Sequence, residues 1–167
     1  LLAIARQRNP GVPFHSGDMC TFELGQSYDI ITCLFSAIGY VVTLERLSQA
    51  FERMASHLVP GGVLIVEPWF TPDAFVNGHP SGMFVSEPEL KIARISTSFK
   101  AGHLSWFDFH YLVATPEGTE HLVEHHELGL FETEAQLAIL SQLGLEATYD
   151  GQGLTGRGLL IAVKSMA

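Results

Sequence analysis

The sequence predicts an α/β protein in which an open, doubly wound sheet carries an inserted antiparallel β meander. Over residues 1–68, strand, helix and strand patterns follow one another with short connections, as expected of parallel strands joined by a right-handed crossover. Within 89–131, three stretches of alternating polar and apolar residues indicate antiparallel strands joined by turns. We therefore assign 1–68 and 132–167 to the doubly wound core and 69–131 to the insertion.

The first part of the chain supplies two buried strands and the helix between them. Residues 28–35 (YDIITCLF) are apolar without alternation, as expected of a strand covered on both faces, and 62–66 (GVLIV) repeat that pattern. Apolar residues recur at helical spacing over 44–58, with Thr43 as the predicted N-cap and a Pro-Gly-Gly turn as the stop. A short apolar segment at 12–16 predicts an earlier strand.

The second part begins with an irregular loop and continues through the meander. Residues 68–86 are rich in Pro and Gly, which is typical of a long loop that carries function. Thr133 and Gln136 have the spacing of a capping box and predict a helix that ends at Gly144. The strands predicted after the loop lie near 89–100, 103–114, 119–131, 145–150 and 158–164.

Alternation in the meander sorts its side chains into two faces. Arg94, Ser96 and Ser98 share one face of the first meander strand, and His125 shares a face of the third with Glu127. Either these polar faces line a cleft and contact a substrate, or they face bulk water; the sequence leaves both open. The second strand divides into Phe107, Phe109 and Tyr111 on one face and Trp106, Asp108 and His110 on the other.

Composition excludes several classes of protein. The 167 residues carry a formal net charge of −9, which argues against a nucleic-acid binder because phosphate contacts need a basic face. Apolar residues make up 47%, too many for a disordered segment, and the longest uncharged stretch, 30–44, is too short to cross a membrane. Cys20 and Cys33 are too few for a disulfide framework or a zinc site, and they suggest a reducing compartment such as the cytoplasm.

Positive charge is scarce in the second half of the chain. No Lys or Arg lies between Lys100 and Arg157, an interval that contains nine acidic residues and five His. Arg157 stands between two glycines and is a candidate anion ligand, with an ordinary surface salt bridge as the alternative.

The start of the chain has the pattern of a helix interior. Leu1 and the residues after it include neither an initiator Met nor the layout of a signal peptide. We therefore expect the chain to be the C-terminal part of a larger domain.

Three predicted strand ends carry the candidate binding residues, because ligands of doubly wound sheets lie outside the carboxyl ends of the strands. Asp18 can accept a hydrogen bond from an exocyclic amine while Met19 packs on a flat ring. Leu34-Phe35 offers an apolar surface for the other face of a base. Glu67 precedes the aromatic pair Trp69-Phe70 at the entrance to the long loop.

The order of these motifs resembles that of class I S-adenosylmethionine-dependent methyltransferases. Gly17-Asp18-Met19, the strand at 28–36 and Pro60-Gly61-Gly62 match that family in sequence order. Four further motifs resemble the nucleotide-diphospho-sugar N,N-dimethyltransferases, which make the dimethylamino sugars of macrolide antibiotics, of the desosamine or mycaminose type. These motifs are CLFSAIG (33–39), VEPW (66–69), EHHE (124–127) and GRGL (156–159).

The resemblance implies a Rossmann-like methyltransferase domain with an antiparallel last strand, and S-adenosyl-L-methionine as cofactor. It implies that the amino group of a nucleotide-diphospho-amino-sugar is methylated, twice. Asp18, Met19, Leu34 and Phe35 would contact the cofactor. The family's glycine-rich first motif and its ribose-binding acid would precede Leu1, so this chain by itself is expected to lack half of the cofactor site.

The chemistry of the implied reaction points to candidate substrate contacts. The proton acceptor for the substrate amine would be Tyr40, Glu67, His125 or His110, in that order of preference, although the family often has His where this chain has Tyr40. His125 and His126 are adjacent in a strand and point to opposite faces, so no metal site is predicted. Trp69 and Phe70 would line the sugar pocket, and Arg157, Arg94 and Ser96 would bind the diphosphate.

Other functions remain compatible with the sequence. One alternative is a class I methyltransferase of another small molecule; another is a Rossmann oxidoreductase or non-catalytic fragment that does not use S-adenosylmethionine. A single antiparallel final strand would favour the methyltransferase. The predicted partner is a small molecule, with no nucleic acid and no membrane, and a homodimer is the assembly that we consider.

Overall fold

The computed structural model describes residues 1–166, which form two four-stranded sheets, three α-helices and one 3₁₀ helix. The helices are α1 (Leu2–Arg8), a 3₁₀ helix (Ala37–Val41), α2 (Leu44–Ser56) and α3 (Thr133–Gln142). The strands are β1 (Tyr28–Cys33), β2 (Leu58–Val66), β3 (His79–Glu87), β4 (Leu90–Ala101), β5 (Leu104–Thr115), β6 (Gly118–Gly129), β7 (Leu145–Asp150) and β8 (Leu159–Lys164). No helix within residues 1–166 is long and apolar enough to span a membrane.

The first sheet has the strand order β1-β2-β8-β7. β1 and β2 run parallel, with Cys33 opposite Val66, and α2 forms the crossover between them. β8 lies between β2 and β7 and runs antiparallel to both. This arrangement confirms the predicted doubly wound sheet with an antiparallel last strand, and it sets the carboxyl ends of β1 and β2 side by side.

The second sheet is an antiparallel meander of β3, β4, β5 and β6. The three predicted strands are β4, β5 and β6, but the prediction of an irregular loop over 68–86 was wrong in part because β3 begins at His79. β3 pairs only with β4, and an edge strand of this kind tolerates Pro80 and Gly82, since one side of its backbone needs no strand partner.

Two boundaries in the first half differ from the prediction. The prediction of a strand at 12–16 was wrong: the segment is irregular and has no strand partner among the described residues, and a strand needs a neighbour for its backbone hydrogen bonds. β2 begins at Leu58 rather than Gly62, because α2 already ends at Ser56 and Tyr28 pairs with Leu58 ahead of the Pro-Gly-Gly segment.

The two predicted helix caps have different outcomes. Thr43 is the N-cap of α2, and its hydroxyl accepts a hydrogen bond from the Arg46 N–H at 3.3 Å, as predicted. The capping box at Thr133 was wrong, because Glu132 is the N-cap of α3 and makes no side-chain bond. The Gln136 side chain is buried and donates to the Phe131 carbonyl at 3.3 Å, so burial rather than capping accounts for this residue.

The 3₁₀ helix is the point where the two sheets meet. A Cβ atom at Gly39 would lie 2.9 Å from Leu128 of β6 and 3.1 Å from Trp69, so only a residue without a side chain allows this approach. The meander is thereby packed against the carboxyl ends of β1 and β2.

The main core lies around α2 and the first sheet, and Leu64 at the centre of β2 is fully buried within it. We expect Leu64→Ala to lower the free energy of unfolding by roughly 2–5 kcal/mol, because it leaves a cavity that the surrounding strands cannot fill. Urea denaturation of the protein measures this loss. Leu44→Ala, at an exposed position at the start of α2, should change the same quantity by less than about 0.5 kcal/mol; equal losses in the two variants would contradict the assignment of the core.

Candidate active site

The backbone at the carboxyl end of β1 is strained. Phe35 and Ser36 have φ angles of 58° and 56°, in the left-handed region that residues other than Gly rarely adopt. The Phe35 N–H donates to Glu67 Oε2 at 2.7 Å, and the Ser36 hydroxyl donates to the Pro68 carbonyl at 2.8 Å. Strain of this kind persists only where the surrounding structure fixes it, and it concentrates at functional sites.

Glu67 is a buried carboxylate whose two oxygens both have partners. Its side chain is 1% exposed; Oε2 accepts from the Phe35 N–H, and Oε1 accepts from the Thr155 hydroxyl. Glu67 therefore joins the end of β1 to the loop 151–158, which precedes β8. The sequence offers Glu67 as a proton acceptor, whereas the structure engages both of its oxygens in positioning the backbone and this loop.

Arg157 extends from the same loop over the strand ends. Its Nη1 donates to the Ser36 hydroxyl at 3.1 Å, and its guanidinium carbon lies 5.0 Å from the ring centre of Trp69 and 5.6 Å from that of Phe70. Within residues 1–166 no carboxylate pairs with Arg157, so the alternative of a surface salt bridge is not realised in the part of the chain described. Its hydrogen-bonding capacity is therefore largely available to an anion.

Strand register decides which meander residues face the strand ends. Leu128 contacts the 3₁₀ helix, and the indole N–H of Trp69 donates to the Ser105 hydroxyl at 3.0 Å, so the face that carries these two residues is the inner face. Arg94 pairs with Tyr111 and therefore lies on that face, as does Ser96. The inner face comprises Arg94, Ser96, Ser98, Ser105, Phe107, Phe109, Tyr111, Glu124, His126 and Leu128.

Tyr40 and His126 meet where the 3₁₀ helix approaches the inner face. The Tyr40 hydroxyl lies 2.7 Å from His126 Nδ1, and the imidazole stacks on the Phe107 ring with centres 5.1 Å apart. Burial raises the pKa of the Tyr40 phenol above its ordinary value, and the negative charge of Glu124 raises it further. Tyr40 therefore keeps its proton at neutral pH.

His125 lies on the opposite, outer face of the meander. Its Nδ1 is 2.7 Å from Asp108, and its Nε2 is 3.5 Å from Glu127. The hydrogen bond to Asp108, followed by that to Glu127, raises the pKa of His125. His110 is also on this face, so the structure brings neither of these candidate proton acceptors to Tyr40.

Asp18 and Met19 line a cavity of about 420 Å³ beside β1. Asp18 accepts from the Cys20 N–H at 2.8 Å and from Arg46 at 2.8 Å, and these two bonds, the first above all, lower its pKa. Its carboxylate is thus ionised and retains acceptor sites. Cys33 also lines the cavity, and burial raises the pKa of its thiol to about 11, so it remains uncharged.

The structure thus brings most of the sequence-predicted residues to one edge of the first sheet and shows partners that sequence reasoning missed. Leu34 and Phe35 follow β1 and are exposed, with Phe35 86% accessible. Ser36, Thr155 and His126 were missed, because their contacts join segments far apart in the chain. Within residues 1–166 no three His, Cys, Asp or Glu side chains gather as a metal site would require.

Comparison with characterised proteins agrees with this architecture. The chain is 39% identical over 160 residues to the dTDP-3-amino-3,6-dideoxy-alpha-D-glucopyranose N,N-dimethyltransferase of Streptomyces fradiae, covering 95% of this chain and 63% of that protein. It is 37% identical to the dTDP-3-amino-3,4,6-trideoxy-alpha-D-glucopyranose N,N-dimethyltransferase of Streptomyces venezuelae, covering 98% and 69%. The chain thus spans roughly two thirds of the length of these relatives. No family model matches the chain.

Solved structures give the same result. Streptomyces venezuelae DesVI matches with a TM-score of 0.93 at 36% identity, covering 98% of this chain and 70% of that one. The S-adenosylmethionine-bound amino pentose methyltransferase CalS10 of Micromonospora echinaspora matches with a TM-score of 0.89 at 38% identity, with the same coverage. The fold is that of a class I methyltransferase. Within that class, the chain belongs to the family of the nucleotide-amino-sugar N,N-dimethyltransferases.

The bond between Thr155 and Glu67 provides a test of the strand-end site. We expect Thr155→Val to increase amide hydrogen exchange over 151–158 by tenfold or more, because a hydrogen bond to a charged group contributes about 1.5–3 kcal/mol. Thr155→Ser keeps the hydroxyl and should exchange like the unmodified protein. Unchanged exchange in Thr155→Val would show that Glu67 does not fix this loop.

Proposed function

We propose that this protein methylates the amino group of a nucleotide-diphospho-amino-sugar, twice, with S-adenosyl-L-methionine as the methyl donor. The observation that carries the proposal is Arg157, a cation without a carboxylate partner in the described chain, beside the aromatic ring of Trp69 at the strand ends. Family membership supports the same reaction class. We propose this reaction for the whole protein, since the chain spans roughly two thirds of the length of its relatives.

The cavity beside β1 fits the adenine end of the cofactor. Its volume of about 420 Å³ suits part of a small ligand, and Asp18 offers carboxylate oxygens to an exocyclic amine. Met19 can pack on a flat ring, and the exposed Leu34 and Phe35 extend the apolar surface past the end of β1. S-adenosylmethionine supplies an activated methyl group on its sulfonium.

The substrate diphosphate would bind between the loop and the meander. Arg157 offers a planar fork of N–H donors from the loop, and Arg94 offers another from the inner face, where it lies 4.3 Å over the Phe109 ring. Ser96 is buried on that face and hydrogen-bonds to Ser81 at 2.8 Å, which fixes its hydroxyl near Arg94.

The sugar would lie against the aromatic pair at the loop entrance. The Trp69 and Phe70 rings pack edge to face with centres 4.7 Å apart, and they present apolar surface beside the strand ends. A ring face there would also attract the positive charge of the alkylated amine, by roughly 0.5–2 kcal/mol.

Alignment would supply much of the rate. Holding the neutral amine in line with the methyl group replaces a bimolecular encounter and can lower the barrier by roughly 7–11 kcal/mol. The amine must lose a proton before or during attack, and Tyr40 at the junction of the two sheets is the candidate acceptor. Glu67 serves instead to fix the strand end.

Two proposals concern the whole protein. A homodimer is supported by the exposed apolar side chains on the outer face of the meander, among them Phe84, Ile95 and Val123. The net charge of −9 supports a small-molecule partner rather than nucleic acid or a membrane surface, and two buried free cysteines support a cytoplasmic location.

Mass spectrometry tests the proposed reaction. The protein at its natural length, incubated with S-adenosylmethionine and TDP-3-amino-3,6-dideoxyglucose, should yield a product heavier by one and then two methyl units. Cofactor binding without any methylated sugar would favour a methyltransferase with another acceptor. Absence of both would contradict the proposal.

Replacing Arg157 separates diphosphate recognition from the chemical step. We expect Arg157→Lys to raise KM for the nucleotide sugar about tenfold or more, with little change in kcat, because an ammonium cannot make the paired bonds of a guanidinium. Steady-state kinetics measures the change. Arg53→Lys, on α2 and paired with Glu52, is the matched control and should keep the original KM. An unchanged KM in Arg157→Lys would remove Arg157 from the substrate site.

A further inference from the structure

The contact between Tyr40 and His126 joins a candidate catalytic group to a histidine that the sequence did not single out. Tyr40 is about half exposed, whereas His126 Nε2 is buried and has no hydrogen-bond partner within residues 1–166. The phenol oxygen and Nδ1 are 2.7 Å apart. This distance suits a hydrogen bond in which the phenol donates to Nδ1, an arrangement that places the ring proton on Nε2.

Charged side chains from two strands face the region around His126. Glu124 Oε2 lies 3.8 Å from Nε2 and is fixed by the Tyr111 hydroxyl, which donates to it at 2.9 Å. Arg94 faces the same region from β4 and lies over the Phe109 ring, which packs edge-on against His126 with centres 5.0 Å apart. A protonated imidazole would therefore have the Glu124 carboxylate as its nearest counter-charge.

We infer that Tyr40 and His126 form a two-residue proton acceptor for the substrate amine, in which Tyr40 contacts the amine and His126 acts through Tyr40 as the positioning residue. The inference rests on the proposed function and deepens it. In this chain, the imidazole of His126 on β6 is thus the partner of the Tyr40 hydroxyl.

The proton transfers balance as follows. The amine nitrogen forms a bond to the methyl carbon as the carbon–sulfur bond breaks, and its surplus proton passes to the Tyr40 oxygen. The original Tyr40 proton moves to His126 Nδ1, so that Tyr40 ends neutral and His126 ends as an imidazolium opposite Glu124. Release of that proton to solvent restores the pair before the second methyl transfer.

The first test measures the tautomer of His126 and needs no catalytic turnover. Long-range nitrogen–proton NMR correlation distinguishes the tautomers of each imidazole, and His126 should be in the Nε2–H form in the unmodified protein. In Tyr40→Phe that fixed tautomer should be lost. His121, on the outer face of β6, is the internal control and should not change. If the tautomer of His126 is the same in both proteins, Tyr40 does not donate to it and the inference is overturned.

The second test is the pH dependence of kcat/KM. His126→Asn can still accept a hydrogen bond from Tyr40 but cannot take its proton, so the acid limb of the profile should move to higher pH, with a loss on the order of 10²-fold at its acid end. Tyr40→Phe should show the same shift, and His121→Asn should keep the original profile.

The outcomes distinguish a failure of the proton acceptor from a failure of the proposed function. The unmodified protein could methylate the sugar while the acid limb of the pH profile stays unshifted in His126→Asn. That result overturns the two-residue proton acceptor and leaves the proposed function unaffected. Absence of methylation in the unmodified protein overturns both. If His126→Asn fails to fold, the Tyr40→Phe variant tests the inference by itself. It must show both the loss of the fixed His126 tautomer and the shift of the acid limb to higher pH.

Discussion

The candidate site depends on one buried carboxylate, that of Glu67. It accepts one hydrogen bond from the strained Phe35 backbone and another from Thr155 in the loop before β8. A buried charge is tolerated only when such partners are present. The end of β1, the residue after β2 and the loop before β8 therefore constrain one another. Because Arg157 is two residues beyond Thr155, the same carboxylate also restricts where the Arg157 guanidinium can lie.

A second constraint is the close packing at Gly39, which lets the meander approach the first sheet. Through this contact, residues as distant in sequence as Ser36 and His126 share one site, although no single segment contains a complete set of catalytic groups. The doubly wound sheet provides the strand ends, and the meander provides a polar and aromatic inner face opposite them. The core contributes Tyr40 and Arg157 to this site, and the insertion contributes Trp69, Phe70 and the inner face of the meander.

Periodicity and motif order were enough to predict the doubly wound sheet, three meander strands and the family. They did not predict β3, because its Pro and Gly suit an edge strand as well as a loop, nor the N-cap of α3. Within the site, Arg157 could be singled out by its isolation in an acidic region. The partner of Tyr40 could not, because choosing between His125 and His126 requires the register of β5 against β6, which depends on pairing between strands.

That register has a consequence for how the family can vary in length. Side chains alternate along β6, so a shift of β6 by one residue against β5 would exchange the faces of every residue in β6. A shift in one direction would place His125 opposite Phe107 on the inner face, and His126 would face outward opposite Trp106. Insertions and deletions in this hairpin are therefore compatible with the site only where they leave the pairing of β5 with β6 unchanged, for example by enlarging the turn.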